Sequence, residues 1–76
     1  MIQLKVKLTS IGDVQKFVNA VSAFSGEIDL QSGRYVVDAK SIMGIFSLDL
    51  MQPVDMTIHA ESAPELIEKI DAFIVK

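Results

Sequence analysis

The chain has 76 residues, half of them hydrophobic, with a formal net charge of −3 and no cysteine. This length supports one hydrophobic core, so we expect residues 1–76 to form a single domain. The seven basic residues are scattered, which argues against direct nucleic-acid binding. The lack of cysteine excludes disulfides and thiolate metal sites, and no stretch approaches the ~20 apolar residues of a membrane span. We therefore expect a cytoplasmic protein that uses no cofactor and binds no membrane.

The first strand and helix are marked by a change from alternating to helical spacing. Residues 2–9 alternate between apolar and polar side chains, as in a strand with one buried face. Thr9 or Ser10 is expected to cap the following helix, with Asp13 in its first turn. Gly26 is expected to end this helix in a left-handed conformation. The predicted buried stripe of the helix consists of Val14, Phe17, Val18, Val21 and Phe24.

The middle of the chain predicts a β-hairpin followed by a helix. Strands at 27–30 and 35–38 flank the turn signal Ser32–Gly33. Ser41 is a good N-cap for the helix, because its oxygen can accept a hydrogen bond from a free amide in the first turn. We expect this central helix to run to about Leu50.

The last third of the chain predicts one more strand and one more helix. Pro53 cannot continue the central helix, and residues 54–61 alternate as a fourth amphipathic strand. Ser62 and Glu65 have the spacing of a capping box, with Pro64 in the first turn. The residues predicted to be buried on the final helix are Leu66, Ile67, Ile70, Phe73 and Ile74.

The resulting order is β-α-β-β-α-β-α. Four strands with one wet face, and helices with one apolar stripe each, predict an α+β fold in which three helices cover one face of a four-stranded antiparallel sheet. We interpret this as an open-faced β-sandwich, with a ferredoxin-like split as the nearest competitor. The short middle helix and the extra last helix favour the sandwich.

The most informative stretch is Lys40–Leu48, with the sequence Lys-Ser-Ile-Met-Gly-Ile-Phe-Ser-Leu. Within it, Ile45 and Leu48 lie three residues apart and can both enter the core. The neighbouring arc of the helix holds Ile42, Met43 and Phe46. Some of these side chains must face outward, and an exposed apolar cluster is a candidate docking surface.

This nine-residue stretch resembles the regulatory-serine segment of HPr, the small phosphocarrier of the bacterial sugar phosphotransferase system. The resemblance extends from Glu27 to Leu48 and continues more loosely through the last strand and helix. It implies an HPr-like fold and identifies Ser41 with the serine that HPr kinase/phosphorylase modifies. The residues that it assigns to partner binding are Lys40, Ile42, Met43 and Phe46.

The histidine motif of the same family is missing. HPr carries phosphate on a histidine within Gly-x-His-Ala-Arg-Pro at the start of its first helix, whereas residues 9–15 here are Thr-Ser-Ile-Gly-Asp-Val-Gln. Ser10 falls near the histidine position and is expected to be a helix cap. The only histidine, His59, is expected to be a solvated strand residue without a nucleophile or metal-ligand partner. We therefore predict a non-enzyme with no metal site and no histidine phosphocarrier activity.

Three functions remain open at this point. The resemblance implies a regulatory adaptor, since similar HPr paralogues without the histidine act in carbon-catabolite regulation as phosphoserine-dependent corepressors of a LacI-type regulator. One alternative is a constitutive interaction module or homodimer, in which Ser41 only caps a helix. The other is a residual phosphocarrier that uses Ser10, Asp13 or His59.

Overall fold

The computed structural model describes residues 1–75 and contains the predicted order of elements. The strands are β1 (Ile2–Val6), β2 (Ile28–Ser32), β3 (Tyr35–Asp38) and β4 (Val54–Ile58). The helices are α1 (Ile11–Ser22), α2 (Ile42–Phe46) and α3 (Pro64–Ile70), and a 3-10 turn at Asp71–Phe73 follows α3. The predicted β-α-β-β-α-β-α order is therefore confirmed.

The four strands form one antiparallel sheet in the order β1-β4-β2-β3. The central strands are β2 and β4, whereas a ferredoxin-like sheet would place β1 in the centre. Leu4, Met56 and Leu30 form one row across three strands, and the latter two are fully buried. The adjacent row consists of Lys5, Asp55 and Gln31. Alternation thus gives the sheet one apolar face beneath the helices and one open polar face, which confirms the open-faced sandwich.

The core lies between the sheet and helices α1 and α3. Helix α1 buries Val14, Phe17 and Val21, which lie on one side of the helix at positions three and four apart. The ring of Phe17 packs edge-on against Phe73, with 6.1 Å between the ring centroids. Ile70 of α3 is fully buried on the same core.

Helix α2 is shorter than the sequence predicts. It ends at Phe46 rather than near Leu50, and the next two residues donate backbone hydrogen bonds in the tighter i→i−3 pattern. The hydroxyl of Ser47 also donates to the Gly44 carbonyl at 2.6 Å, which gives this carbonyl a second partner without another helical turn. Leu48 is nevertheless buried, as predicted, and so is Ile45.

Two predicted helix signals have other roles. Gly26 does not adopt a left-handed conformation; instead, a Cβ at this position would come within 2.6 Å of the Phe24 ring. A larger residue there would therefore require the Phe24 ring to move. Ser62 does not cap α3, because the N-cap residue is Ala63, which makes no side-chain hydrogen bond. Pro64 lies in the first turn of α3, so this predicted helix-start signal is confirmed.

The segment after α3 returns to the edge of the sheet. A single antiparallel bridge joins Val6 to Ile74. The amide of Lys7 donates to the Phe73 carbonyl at 2.8 Å, and the amide of Val75 donates to the Lys5 carbonyl at 2.8 Å. The outer edge of β1 is therefore covered by the protein's own backbone.

Candidate functional site

Ser41 lies at the N-cap of α2, as the sequence predicts. Its Oγ accepts a hydrogen bond from the Gly44 N–H at 3.2 Å, and the residue is exposed. The first turn of α2 contains no acidic residue. The exposed hydroxyl therefore sits at the positive end of a short helix with no neighbouring carboxylate in that turn.

Lys40, which the sequence places in the partner-binding set, is half-buried. Its Nζ donates a hydrogen bond to the Phe24 carbonyl at 2.6 Å, across the join between α1 and β2. Its ammonium group therefore holds α2 against the end of α1. Spacing along the chain gives no sign of this contact, because the two residues are 16 positions apart.

The apolar residues of α2 divide between core and surface. Met43 is 78% exposed and Phe46 is 43% exposed, so both are available to a partner. Ile42 is only partly exposed and packs against the core. The docking surface predicted on α2 thus rests chiefly on Met43 and Phe46.

At the start of α1, the side chains of Ser10 and Asp13 both take part in capping hydrogen bonds. The Oγ of Ser10 accepts from the Asp13 N–H at 3.0 Å, and Asp13 Oδ2 accepts from the hydroxyl of Thr9 at 2.8 Å and from its N–H at 3.1 Å. The hydrogen bond from the Thr9 hydroxyl, joined by that from its N–H, lowers the pKa of the Asp13 carboxyl below its ordinary value. The predicted cap at Ser10 is therefore present, and it is accompanied by a carboxylate.

The fold brings the start of α1 and the end of α2 together around one groove. This groove has a volume of about 470 Å³, and its lining includes Ser10, Ile11, Phe46 and Met51. Ile11 is 66% exposed and Met51 is 82% exposed, so the groove has an apolar rim. We name this feature the α1–α2 groove.

Ile11 and Met51 are residues that the sequence analysis missed. Ile11 is the first residue of α1 and lies outside the buried stripe of that helix. Met51 follows the end of α2 and is one of the most exposed apolar residues of the described chain. The sequence signal that could have identified Ile11 is its position outside the buried stripe of α1. Only the fold shows that it lines the same groove as Phe46.

His59 lies apart from this groove, just beyond the end of β4. Its Nε2 is 2.8 Å from Asp29 Oδ2, and both side chains are partly exposed. His59 is exposed, as predicted, but it is not a strand residue, because β4 ends at Ile58 rather than near residue 61. The prediction also did not include this carboxylate partner. Within residues 1–75, no group of three or more His, Cys, Asp or Glu side chains is arranged to hold a metal ion.

Comparison with known proteins identifies the family. The family model described as the PTS HPr component phosphorylation site matches residues 13–76. The crystal structure of HPr-C-His from Thermoanaerobacter tengcongensis is 28% identical, with a TM-score of 0.72 over 93% of this chain and 85% of that chain. The phosphocarrier protein HPr from Bacillus anthracis str. Ames is 25% identical, with a TM-score of 0.71 over 97% of this chain and 96% of that chain. The chain belongs to the HPr family of the phosphotransferase system.

Family membership confirms the resemblance seen around Ser41 and the fold class that follows from it. Proteins of this family are phosphocarriers rather than enzymes in themselves, and they interact with other phosphotransferase-system proteins. The family match begins at Asp13 and so does not include Ser10. None of the helices within residues 1–75 is long and apolar enough to cross a membrane.

Proposed function

We propose that this protein is a regulatory adaptor of the phosphotransferase system that works by exchanging protein partners rather than by carrying phosphate on histidine. The observation that carries the proposal is the α1–α2 groove, in which Ser10, rather than a histidine, lies among lining residues that include the exposed Ile11, Phe46 and Met51. The Oγ of Ser10 is engaged with the Asp13 N–H at 3.0 Å, and a carboxylate already lies at this helix start. Adding phosphate there would bring two negative groups together.

The apolar rim of the groove supports a docking role. Methionine adapts its shape to different surfaces, and phenylalanine supplies contact area at interfaces. Ile11 lines the groove from the start of α1, and Phe46 and Met51 line it from the end of α2 and the segment after it. An apolar groove of this kind suits a partner that inserts its own apolar side chain.

Regulation is assigned to Ser41, the exposed cap of α2. A phosphate on this oxygen would meet free amides and the positive end of the helix, both of which stabilise negative charge. Lys40 is occupied by the Phe24 carbonyl, so the phosphate would depend first on the α2 amides. Met43 and Phe46 lie on the same short helix, and the new charge would therefore change which partner this surface accepts.

The partner classes that we propose are those that the resemblance around Ser41 implies. HPr kinase/phosphorylase would modify Ser41, and a LacI-type catabolite regulator would bind the phosphorylated form. Other phosphotransferase-system proteins would compete for the α1–α2 groove.

The direct test is intact-mass measurement after incubation with ATP and HPr kinase/phosphorylase. We expect one phosphate on the native protein and none on Ser41→Ala. The matched control is Ser10→Ala, which also removes a helix cap and should still be labelled once. Label that persists on Ser41→Ala would remove Ser41 from the proposal.

A second arm tests the absence of phosphocarrier activity. The protein is incubated with phosphoenolpyruvate and the general phosphotransferase enzyme, and acid-labile phosphate is measured. We expect none; a phosphohistidine lost in His59→Gln would instead support a residual phosphocarrier.

Docking is tested separately by titration calorimetry with HPr kinase/phosphorylase. Phe46→Gln and Met51→Gln should each weaken binding, since each removes exposed apolar area from the rim. Val75→Gln is the matched control, because Val75 is 43% exposed, as Phe46 is, but lies after α3, outside the groove. Equal weakening by all three variants would contradict a groove-specific surface.

A constitutive adaptor is the second candidate, and the Ser41 cap favours it. The Ser41–Gly44 hydrogen bond gives the serine a structural role without any modification. In that case the charged variant Ser41→Asp would bind the same partners as the native protein. A homodimer held by α2 is one form of this candidate, and Phe46→Gln should then make the protein monomeric in sedimentation equilibrium.

A further inference from the structure

The two edges of the sheet are treated differently. The edge strand β1 is covered by the segment after α3, through the Val6–Ile74 bridge and the Val75–Lys5 hydrogen bond of 2.8 Å. At the opposite edge, β3 pairs with β2 alone among the strands of residues 1–75. An uncovered edge strand presents backbone groups on which another strand can pair.

The hydrogen bonds at the end of β3 identify which groups are free. The Ala39 amide donates to the Ile28 carbonyl at 2.9 Å, so Ala39 faces β2. Because antiparallel partners alternate, Tyr35 and Val37 also face β2, whereas Val36 and Asp38 direct their N–H and C=O groups outward.

One of these outward-facing residues, Asp38, already uses its backbone carbonyl in a hydrogen bond. The Asp38 carbonyl accepts from the Ser41 amide at 2.9 Å. Within β3, Val36 is therefore the residue that offers both a free donor and a free acceptor.

Two side chains of β3 leave apolar surface at this edge. The strand Tyr35–Asp38 contains no proline and no lysine, and Tyr35 and Val36 are 69% and 57% exposed. Its flanking turn is tight, because Gly33 has a φ of 59° and occupies the first central position of a two-residue hairpin. Arg34, the second turn residue, is exposed next to the strand.

We propose that β3 is a self-association edge, on which a second copy of this chain pairs antiparallel with Val36 on the two-fold axis. Val36 would then exchange both backbone hydrogen bonds with its counterpart. In this register Tyr35 lies opposite Val37 of the second copy, an aromatic–β-branched pair of the kind that stabilises sheets. The product is one continuous eight-stranded sheet with all helices on the same face.

Charge selects this register. It places Arg34 opposite Asp38 of the second copy, and the symmetry of the pair gives two such contacts. Within one chain, Asp38 lies directly opposite Asp29, which is an unfavourable like-charge pair. Arg34 of the second copy would offset it. If the second copy shifted by one residue along β3, its sheet would present the opposite face. If it shifted by two residues, Val36 would lie opposite Asp38 and the two ion pairs would be lost.

The first test is charge reversal, measured by sedimentation equilibrium over a wide range of concentration. Because β3 is short, we expect a weak dimer that forms reversibly as concentration rises. Arg34→Asp alone and Asp38→Arg alone should each weaken association about tenfold, since each replaces two opposite-charge pairs by like-charge pairs. The double variant Arg34→Asp/Asp38→Arg should recover it.

Asp38→Arg also removes the hydrogen bond of 2.8 Å from the Lys40 amide to Asp38 Oδ1, so a folding defect must be separated from lost pairing. Val36→Lys is the second disruptor, because it places two lysines against each other on the axis and leaves that bond intact. Circular dichroism should show the native fold for Val36→Lys, together with a monomer.

The second test is site-directed cross-linking, for which the chain provides a clean background with no cysteine. Val36→Cys would lie about 5.5 Å from its counterpart between Cα atoms, since it belongs to a hydrogen-bonded pair. Gln31→Cys is the matched control: Gln31 is exposed and lies beside Val36 on β2, so its copies would be about 15 Å apart. A short thiol cross-linker should join Val36→Cys and leave Gln31→Cys monomeric.

Several outcomes would overturn the proposal. A monomer at every concentration is one, and equal cross-linking of both cysteine variants is another. Dissociation by Phe46→Gln but not by Val36→Lys would move the interface to α2. The protein could also remain monomeric and bind an extended peptide. If Val36→Lys abolished that complex, the edge would belong to another partner.

Discussion

Helices α1 and α2 begin in the same way but leave different electrostatic environments. Each starts at a serine whose Oγ accepts from the amide three residues on, at 3.0 Å for Ser10 and 3.2 Å for Ser41. At α1 the amide belongs to Asp13, and its carboxylate binds back to Thr9. At α2 the amide belongs to Gly44, and no acidic side chain lies in the first turn.

This difference determines which helix start can accept further negative charge. At α1 the charge that a helix N-terminus favours is already supplied by Asp13. At α2 the nearest carboxylate described is that of Asp38, which accepts from the Lys40 N–H just before the cap, so the first-turn amides remain available to an added anion. Two caps of similar geometry therefore differ in the negative charge that each helix start already carries in its first turn.

The largest expected effect comes from breaking the attachment of α2 to the core. Helix α1 buries three side chains, but Ile45 is the buried residue of α2 and is completely inaccessible. Ile45→Ala should lower the free energy of unfolding by about 2–5 kcal/mol, because it removes buried methyl groups and leaves a cavity. Urea denaturation measures the change.

The matched control for this variant is Met43→Ala on the exposed side of the same helix. It should change stability by no more than about 0.5 kcal/mol, since Met43 is 78% exposed. A similar loss from both variants would mean that α2 is held by more than its buried side chain.

A smaller effect sharpens the comparison of the two caps directly. Ser10→Asp and Ser41→Asp both keep a capping oxygen and add one negative charge. At low salt, Ser10→Asp should be less stable than Ser41→Asp by about 0.2–0.5 kcal/mol, because only the former charge lies beside Asp13. Thermal melting at two salt concentrations measures this.

Salt provides the control for the cap comparison. The difference should shrink as ionic strength rises, since both sites are exposed and the repulsion is screened. A difference that does not depend on salt would show that cap geometry, rather than charge, separates the two helices.

The sequence predicts the fold well, because the fold depends on short-range patterns. Alternation predicts the buried face of β1, although the strand ends at Val6 rather than at residue 9. Helical spacing predicts the buried face of α1, on which Val14, Phe17 and Val21 are buried and Val18 is only partly so. The end of α2 is predicted incorrectly, because it depends on the Ser47 hydroxyl and the Gly44 carbonyl, a choice that periodicity does not encode.

The candidate site is less predictable, because it is assembled by contacts between distant parts of the chain. Ser41 is identified from its own neighbourhood as a cap. The proximity of Ile11 and Met51 in the α1–α2 groove, and the bond from Lys40 to the Phe24 carbonyl, arise only after folding. Local patterns name the residues, and the packing of helices decides which of them meet.

The smallest expected effect is the pH dependence that Asp13 contributes at α1 and for which α2 has no counterpart. Hydrogen bonds from Thr9 lower the pKa of the folded carboxyl, so the unfolded chain binds more protons in the acid range. The stabilisation is therefore complete above the ordinary pKa of aspartate and is lost as pH falls through the lowered folded value. Asp13→Asn should be less stable than the native protein at neutral pH, and the two should converge on acidification. Urea unfolding from neutral pH to about pH 3 measures this, and a gap that stays constant would mean that Asp13 acts through packing rather than through its charge.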